Sequence, residues 1–78
     1  MTKEELTVAL SKTTQGERDA IEAIITDGNT DRLPNTVQFS FQHLIELGLL
    51  RHAGERGLVY DGGPVSEFFE LRVAQNFD

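Results

Sequence analysis

Two histidines, His43 and His52, are the first residues to ask for chemistry. Glu46 stands three residues after His43, a spacing that suits either a shared metal or a plain salt bridge on one helix face. A zinc site needs more ligands than this, and the chain has no cysteine to supply a thiolate. The pair therefore reads as structural, with no metal and no other cofactor expected. Asp27-Gly28-Asn29-Thr30-Asp31 imitates the start of a calcium loop, but Arg32 stands where that loop needs glycine and Gln38 where it needs glutamate. A polar turn is the better reading.

Nucleophilic catalysis finds no footing. Gly-x-Ser-x-Gly and the phosphate-binding Gly-x-x-x-x-Gly-Lys are both absent, and there is no cysteine nucleophile. Ser11, Ser40 and Ser66 all have cap, turn or helix-surface explanations, and the carboxylates fall on faces that read as solvated. A chain of 78 residues also leaves little room for a water-excluding pocket. We expect no catalytic residue, no small-molecule substrate and no enzyme activity.

The charge balance bears on partners. Seven basic residues face thirteen acidic ones, for a net −6. Residues 1–28 and 61–78 each carry −3, while 29–60 is neutral. Affinity for nucleic acid comes largely from lysine and arginine neutralising phosphates, so an acidic chain starts at a disadvantage there. It suits an anionic membrane surface no better. The simplest account of the acidity is solubility. No apolar run approaches the length of a membrane span, and the first residues, Met1-Thr2-Lys3-Glu4-Glu5, lack the apolar core of a secretory signal. A cytoplasmic location is the expectation.

The elements that must position these residues follow from spacing. Residues 3–10 read as a short helical arm, with Leu6, Val8, Ala9 and Leu10 on its apolar side. Thr14 followed by Glu17 fits a capping box, and Ala20, Ile21, Ile24 and Ile25 continue at helical spacing to Gly28. This places a helix at about 14–27. A turn-rich stretch follows over 28–35. A third helix is expected over about 35–47, capped by Asn35 or Thr36, with Val37, Phe41, Leu44 and Ile45 on one face. Gly48 ends it. Leu49 to Ala53 and Gly57 to Asp61 bracket Gly54-Glu55-Arg56, which reads as a hairpin. Asp61-Gly62-Gly63-Pro64 is a second turn. From Val65 to Phe77 both a helical and an alternating pattern are present, so residues 66–75 form a helix, with Ser66 as its cap, or a third strand; the helix is favoured.

The whole chain, 1–78, reads as one domain of class α+β: an arm over 1–13, a core with a hairpin over 14–61, and a C-terminal segment over 62–78. At Leu44-Ile45-Glu46-Leu47-Gly48-Leu49-Leu50-Arg51 the sequence resembles the winged-helix (winged helix-turn-helix) superfamily, in which a helix steps through such a motif into a two-stranded wing. The resemblance covers about 14–61. It implies three helices, a two-stranded wing and a C-terminal helix or third strand. The second helix of the helix-turn-helix would have to fit within 29–34, at most one turn, so that part of the motif is degenerate. A looser likeness is to small winged-helix proteins of phages and prophages, some of which exclude superinfecting phage. They share the Ser/Thr-x-x-Glu helix start, the short second helix and a Gly-Leu-Leu-like step.

The resemblance makes the third helix a recognition helix. On a helical wheel its outward arc holds Gln38, Phe39, Gln42, His43 and Glu46. Gln38 and Gln42 could read adenine, and Arg32, Arg51 and Arg56 could hold phosphates. Yet that helix carries no lysine or arginine, and Glu46 would face the phosphates. Phe39 lies about 200° of helical rotation from both Val37 and Phe41, so the three cannot share one core face. Either another segment covers Phe39, or it anchors an interface beside Gln42 and His43. The leading expectation is a small regulatory or inhibitory module that binds a protein partner, or itself, through Phe39, Gln42 and His43. The alternative is a DNA-binding regulator using Arg32, Gln38, Gln42, Arg51 and Arg56 on duplex DNA.

Overall fold

Local signals account for most of the element boundaries. The computed structural model describes residues 1–74. Helix α1 spans Lys3–Ser11 and opens with a capping box: Thr2 Oγ1 accepts from the Glu5 amide, and the Glu5 carboxylate accepts from the Thr2 amide. Helix α2, Gln15–Asp27, opens with a second box on Thr14 and Glu17 and ends at Gly28 in the left-handed conformation, φ 76°. The 28–36 stretch is a chain of turns without a helix. Helix α3, Phe41–Glu46, runs through Leu47 to Gly48 at φ 81°. Strands β1, Leu50–His52, and β2, Leu58–Tyr60, pair antiparallel with Leu50 opposite Tyr60 and His52 opposite Leu58. A 3-10 turn at Gly54–Arg56 joins them. Helix α4, Val65–Ala74, completes an α+β domain of four helices and one hairpin.

Two expectations need correction. The third helix is six residues long, starting at Phe41 and not near residue 35. Ser40 is its cap, in place of Asn35 or Thr36; Ser40 Oγ accepts from the His43 amide at 3.2 Å. The reason lies in a backbone contact. Gly16, in the first turn of α2, packs so closely on Gln38 that a Cβ there would sit 1.9 Å from the Gln38 carbonyl oxygen. Residues 37–39 lie non-helical across the start of α2, after a turn closed by Val37 N–H on Pro34 O. Phe39 therefore belongs to no helix, and the argument that it faces away from Val37 and Phe41 on a wheel does not apply. The second correction concerns α4. Residues 65–74 are helix, the strand alternative falls, and Ser66 sits inside the first turn and is not its cap. The Pro64 carbonyl accepts the first intrahelical bonds. Residues 75–78, the end of the expected C-terminal segment, lie outside the described residues.

One core joins these elements. Leu6, Ala9 and Leu10 of α1 meet Ile21 and Ile24 of α2, Leu44 of α3, Leu49 and Leu50 at the start of the hairpin, and Phe68 and Leu71 of α4. Tyr60 and Phe68 stack at 5.5 Å, tying β2 to α4. Ion pairs hold α4 from outside: Lys3 to Glu70 at 2.8 Å, and Arg72 to both Asp19 and Glu22. Arg18, only 2% exposed, closes the end of α1 by donating to the carbonyls of Thr13, at 2.8 Å, and of Leu10. Among the described residues, no helix is long and apolar enough to cross a membrane.

Candidate functional site

The contact between 37–39 and the start of α2 creates a groove where α1, α2 and α3 converge. Its centre is a pair that no sequence spacing suggested. His43 Nδ1 lies 2.8 Å from Glu17 Oε2, across 26 residues of chain. Glu17 is 3% exposed, and its other oxygen already accepts the Thr14 amide in the capping box. An ionised carboxylate has only acceptors to offer, so Nδ1 carries the hydrogen, an assignment made from the bonding pattern. Nε2 is then the imidazole's remaining polar atom. The His43 side chain keeps 41% of its surface open.

The groove has a volume of about 380 Å³. Glu17, His43, Ser40 and Thr14 line it together with Gln38, Phe39 and Lys12. Phe39 is half-buried and packs on Phe41 at 4.8 Å between centroids. Phe41 packs against the core cluster, and among the described residues Phe39 does not join it. The result is an aromatic ring, an amide, an imidazole and an ammonium group around one opening. Such a set can stack, accept and donate, which suits a side chain of a partner.

Of the expected partner-binding residues, Phe39 and His43 come together here. Gln42 does not line the groove; it is exposed and its amide donates to Glu46 at 3.4 Å. Glu46 is thus the partner of Gln42, while His43 turns to Glu17. His52 is on the hairpin and exposed. Among the described residues, no group of three or more His, Cys, Asp or Glu side chains could hold a metal ion. The 27–31 stretch is an Asx turn, with Asn29 Oδ1 accepting from the Asp31 amide at 3.0 Å.

The expected DNA-contacting residues fall on three parts of the fold: Arg32 on the 28–36 turns, Gln38 before α3 and Gln42 in it, and Arg51 and Arg56 on the hairpin. Arg32 pairs with Asp27 at 3.5 Å and Arg51 with Asp61 at 3.4 Å. Arg56 is exposed in the 3-10 turn, beside the 28–31 turn, and among the described residues makes no ion pair. Gln38 lies in the groove, with its backbone against Gly16. Sequence reasoning missed Lys12, Gly16 and Glu17 as parts of the site. Glu17 was readable only as a cap, and a glycine in a first helical turn carries no signal of what it must admit.

Comparison of the chain with protein-family models, with curated proteins and with solved structures finds no match.

Proposed function

We propose that this domain is a non-enzymatic, winged-helix-like interaction module of the cytoplasm, which binds a protein partner through the groove at Phe39 and His43. The observation that carries this reading is Phe39: an aromatic ring that, among the described residues, is no member of the core cluster and lines an open groove beside an imidazole anchored on a buried carboxylate. Interfaces draw much of their energy from such aromatic anchors. The winged-helix part of the proposal is supported by the left-handed Gly48, by the burial of Leu49 and Leu50 at the root of the hairpin and by the helix that follows it. A regulatory or inhibitory role, of the kind some phage and prophage proteins play, is in keeping with a small acidic chain of net charge −6.

Binding to duplex DNA is the second reading, and Arg56 and Lys12 favour it, since among the described residues neither is held in an ion pair. Against it stand the short α3 without lysine or arginine and the engagement of Arg32 and Arg51 by carboxylates. An amide NMR titration with mixed-sequence duplex DNA at low salt separates the two. The interaction reading expects an unchanged spectrum at high DNA excess. Shifts clustered on 32, 38–43 and 51–56 that fade as salt rises would establish the DNA reading in its place. A partner captured by the wild type should then be lost by Phe39→Ala without a change in melting temperature.

A further inference from the structure

A second opening lies on the other side of Lys12, between α1 and the end of α3, with a volume of about 460 Å³. Its floor is apolar: Val8, Ala9 and Leu47. Val8 faces solvent with 54% of its surface and Met1, at the edge, with 38%. The rim is acidic. Glu4 and Glu5 stand on the α1 side and Glu46 on the α3 side, three carboxylates against two cationic groups, the Lys12 ammonium and the Met1 amine. From these observations we infer that this groove docks a cationic amphipathic segment of another protein, its aliphatic side chains over Val8 and Leu47 and its lysines or arginines beside Glu4, Glu5 and Glu46.

Charge decides the occupant. An apolar floor alone would accept a second copy of this chain as readily as a foreign segment. A second copy carries −6 and would bring its own glutamates against these three. DNA and anionic lipid are repelled for the same reason. A segment with one apolar stripe and flanking cations satisfies floor and rim together, and the rim charges would steer its approach. The inference does not rest on Phe39, which lies in the other groove, so either can fail without the other.

The test uses the full chain and a synthetic amphipathic peptide of leucine and lysine, with a leucine–glutamate peptide as counterpart, followed by amide NMR at low salt. The expected result is shifts over residues 4–9 and 46–47 with the cationic peptide alone. The double variant Glu4→Lys/Glu46→Lys should weaken that binding by about tenfold, and Val8→Ser should weaken it further. Both positions are at the surface, and an unchanged far-ultraviolet spectrum verifies that the variants fold. Phe39→Ala should leave this binding intact. Shifts confined to 38–43, equal binding of the acidic peptide, absence of binding, or a dimer at micromolar concentration that shields Val8 would each overturn the inference.

Discussion

His43 and Glu17 meet at 2.8 Å, and the carboxylate that receives the imidazole is the one that closes the α2 capping box. One buried side chain thus fixes a helix start and the wall of a groove. Glu17→Ala removes both functions and strands the His43 Nδ1 hydrogen. It should cost about 2 kcal/mol in urea unfolding. Glu17→Gln keeps an acceptor for Thr14 and should cost less. His43→Ala should cost less still while abolishing the groove's imidazole, so a binding defect without a large stability loss is its expected signature.

Gly16→Ala tests the contact that shortens α3. The added Cβ would meet the Gln38 carbonyl, a backbone atom that cannot swing aside. Alanine normally stabilises a helical position relative to glycine. Here the expected outcome is the reverse, a loss of about 1–3 kcal/mol, with amide shifts concentrated on residues 37–40.

Arg18→Ala would leave the Leu10 and Thr13 carbonyls without their guanidinium donor in a site almost closed to water. A loss of about 3 kcal/mol is expected by thermal or urea unfolding. Exposed Lys12→Ala should change stability by less than about 0.5 kcal/mol.

Tyr60 has a buried hydroxyl with no hydrogen-bond partner among the described residues, and burial, aided by Glu67, pushes its pKa from 10.0 up to about 12. Tyr60→Phe removes an unsatisfied polar atom and should leave stability unchanged or raise it by up to about 1 kcal/mol. The folded state holds the phenolic proton more tightly than the unfolded chain. Its contribution is complete below pH 10 and is lost as the pH climbs through about 12. Lys3 acts in the same direction, since its hydrogen bond to Glu70 raises its pKa and the pair is lost on deprotonation. Glu5 acts at the other end. The Thr2 amide lowers its pKa first and the Thr2 hydroxyl second, so its contribution is present above 4.5 and fades as the pH falls further. Unfolding midpoints across pH should show both limbs, and Tyr60→Phe should flatten the alkaline one.

The start and stop of α2 and the end of α3 were legible because they depend on neighbours in the chain. Thr14 and Glu17, Gly28, and the Gly48-Leu49-Leu50 step each act within one turn, and the structure follows them. Thr2 and Glu5 form the same box and were readable by the same rule. The hairpin was legible for the same reason, since its turn and its two short strands are contiguous.

Contacts across the fold were not legible. Helical spacing through 35–47 is real, yet only 41–46 is helix, because Gly16 brings the backbone of 37–39 against α2 and leaves Ser40 to start the turn. The candidate site changed for the same reason. Sequence spacing offered Glu46 to His43, whereas packing delivered Glu17 from another helix and gave Glu46 to Gln42. By itself the sequence determined the α+β class, the order of elements through the hairpin and the acidic ends, all of which are properties of composition and local period; it left the last element open between helix and strand. Which side chains share a groove was decided only by tertiary structure, because burial of one apolar set brings together polar residues that are far apart along the chain.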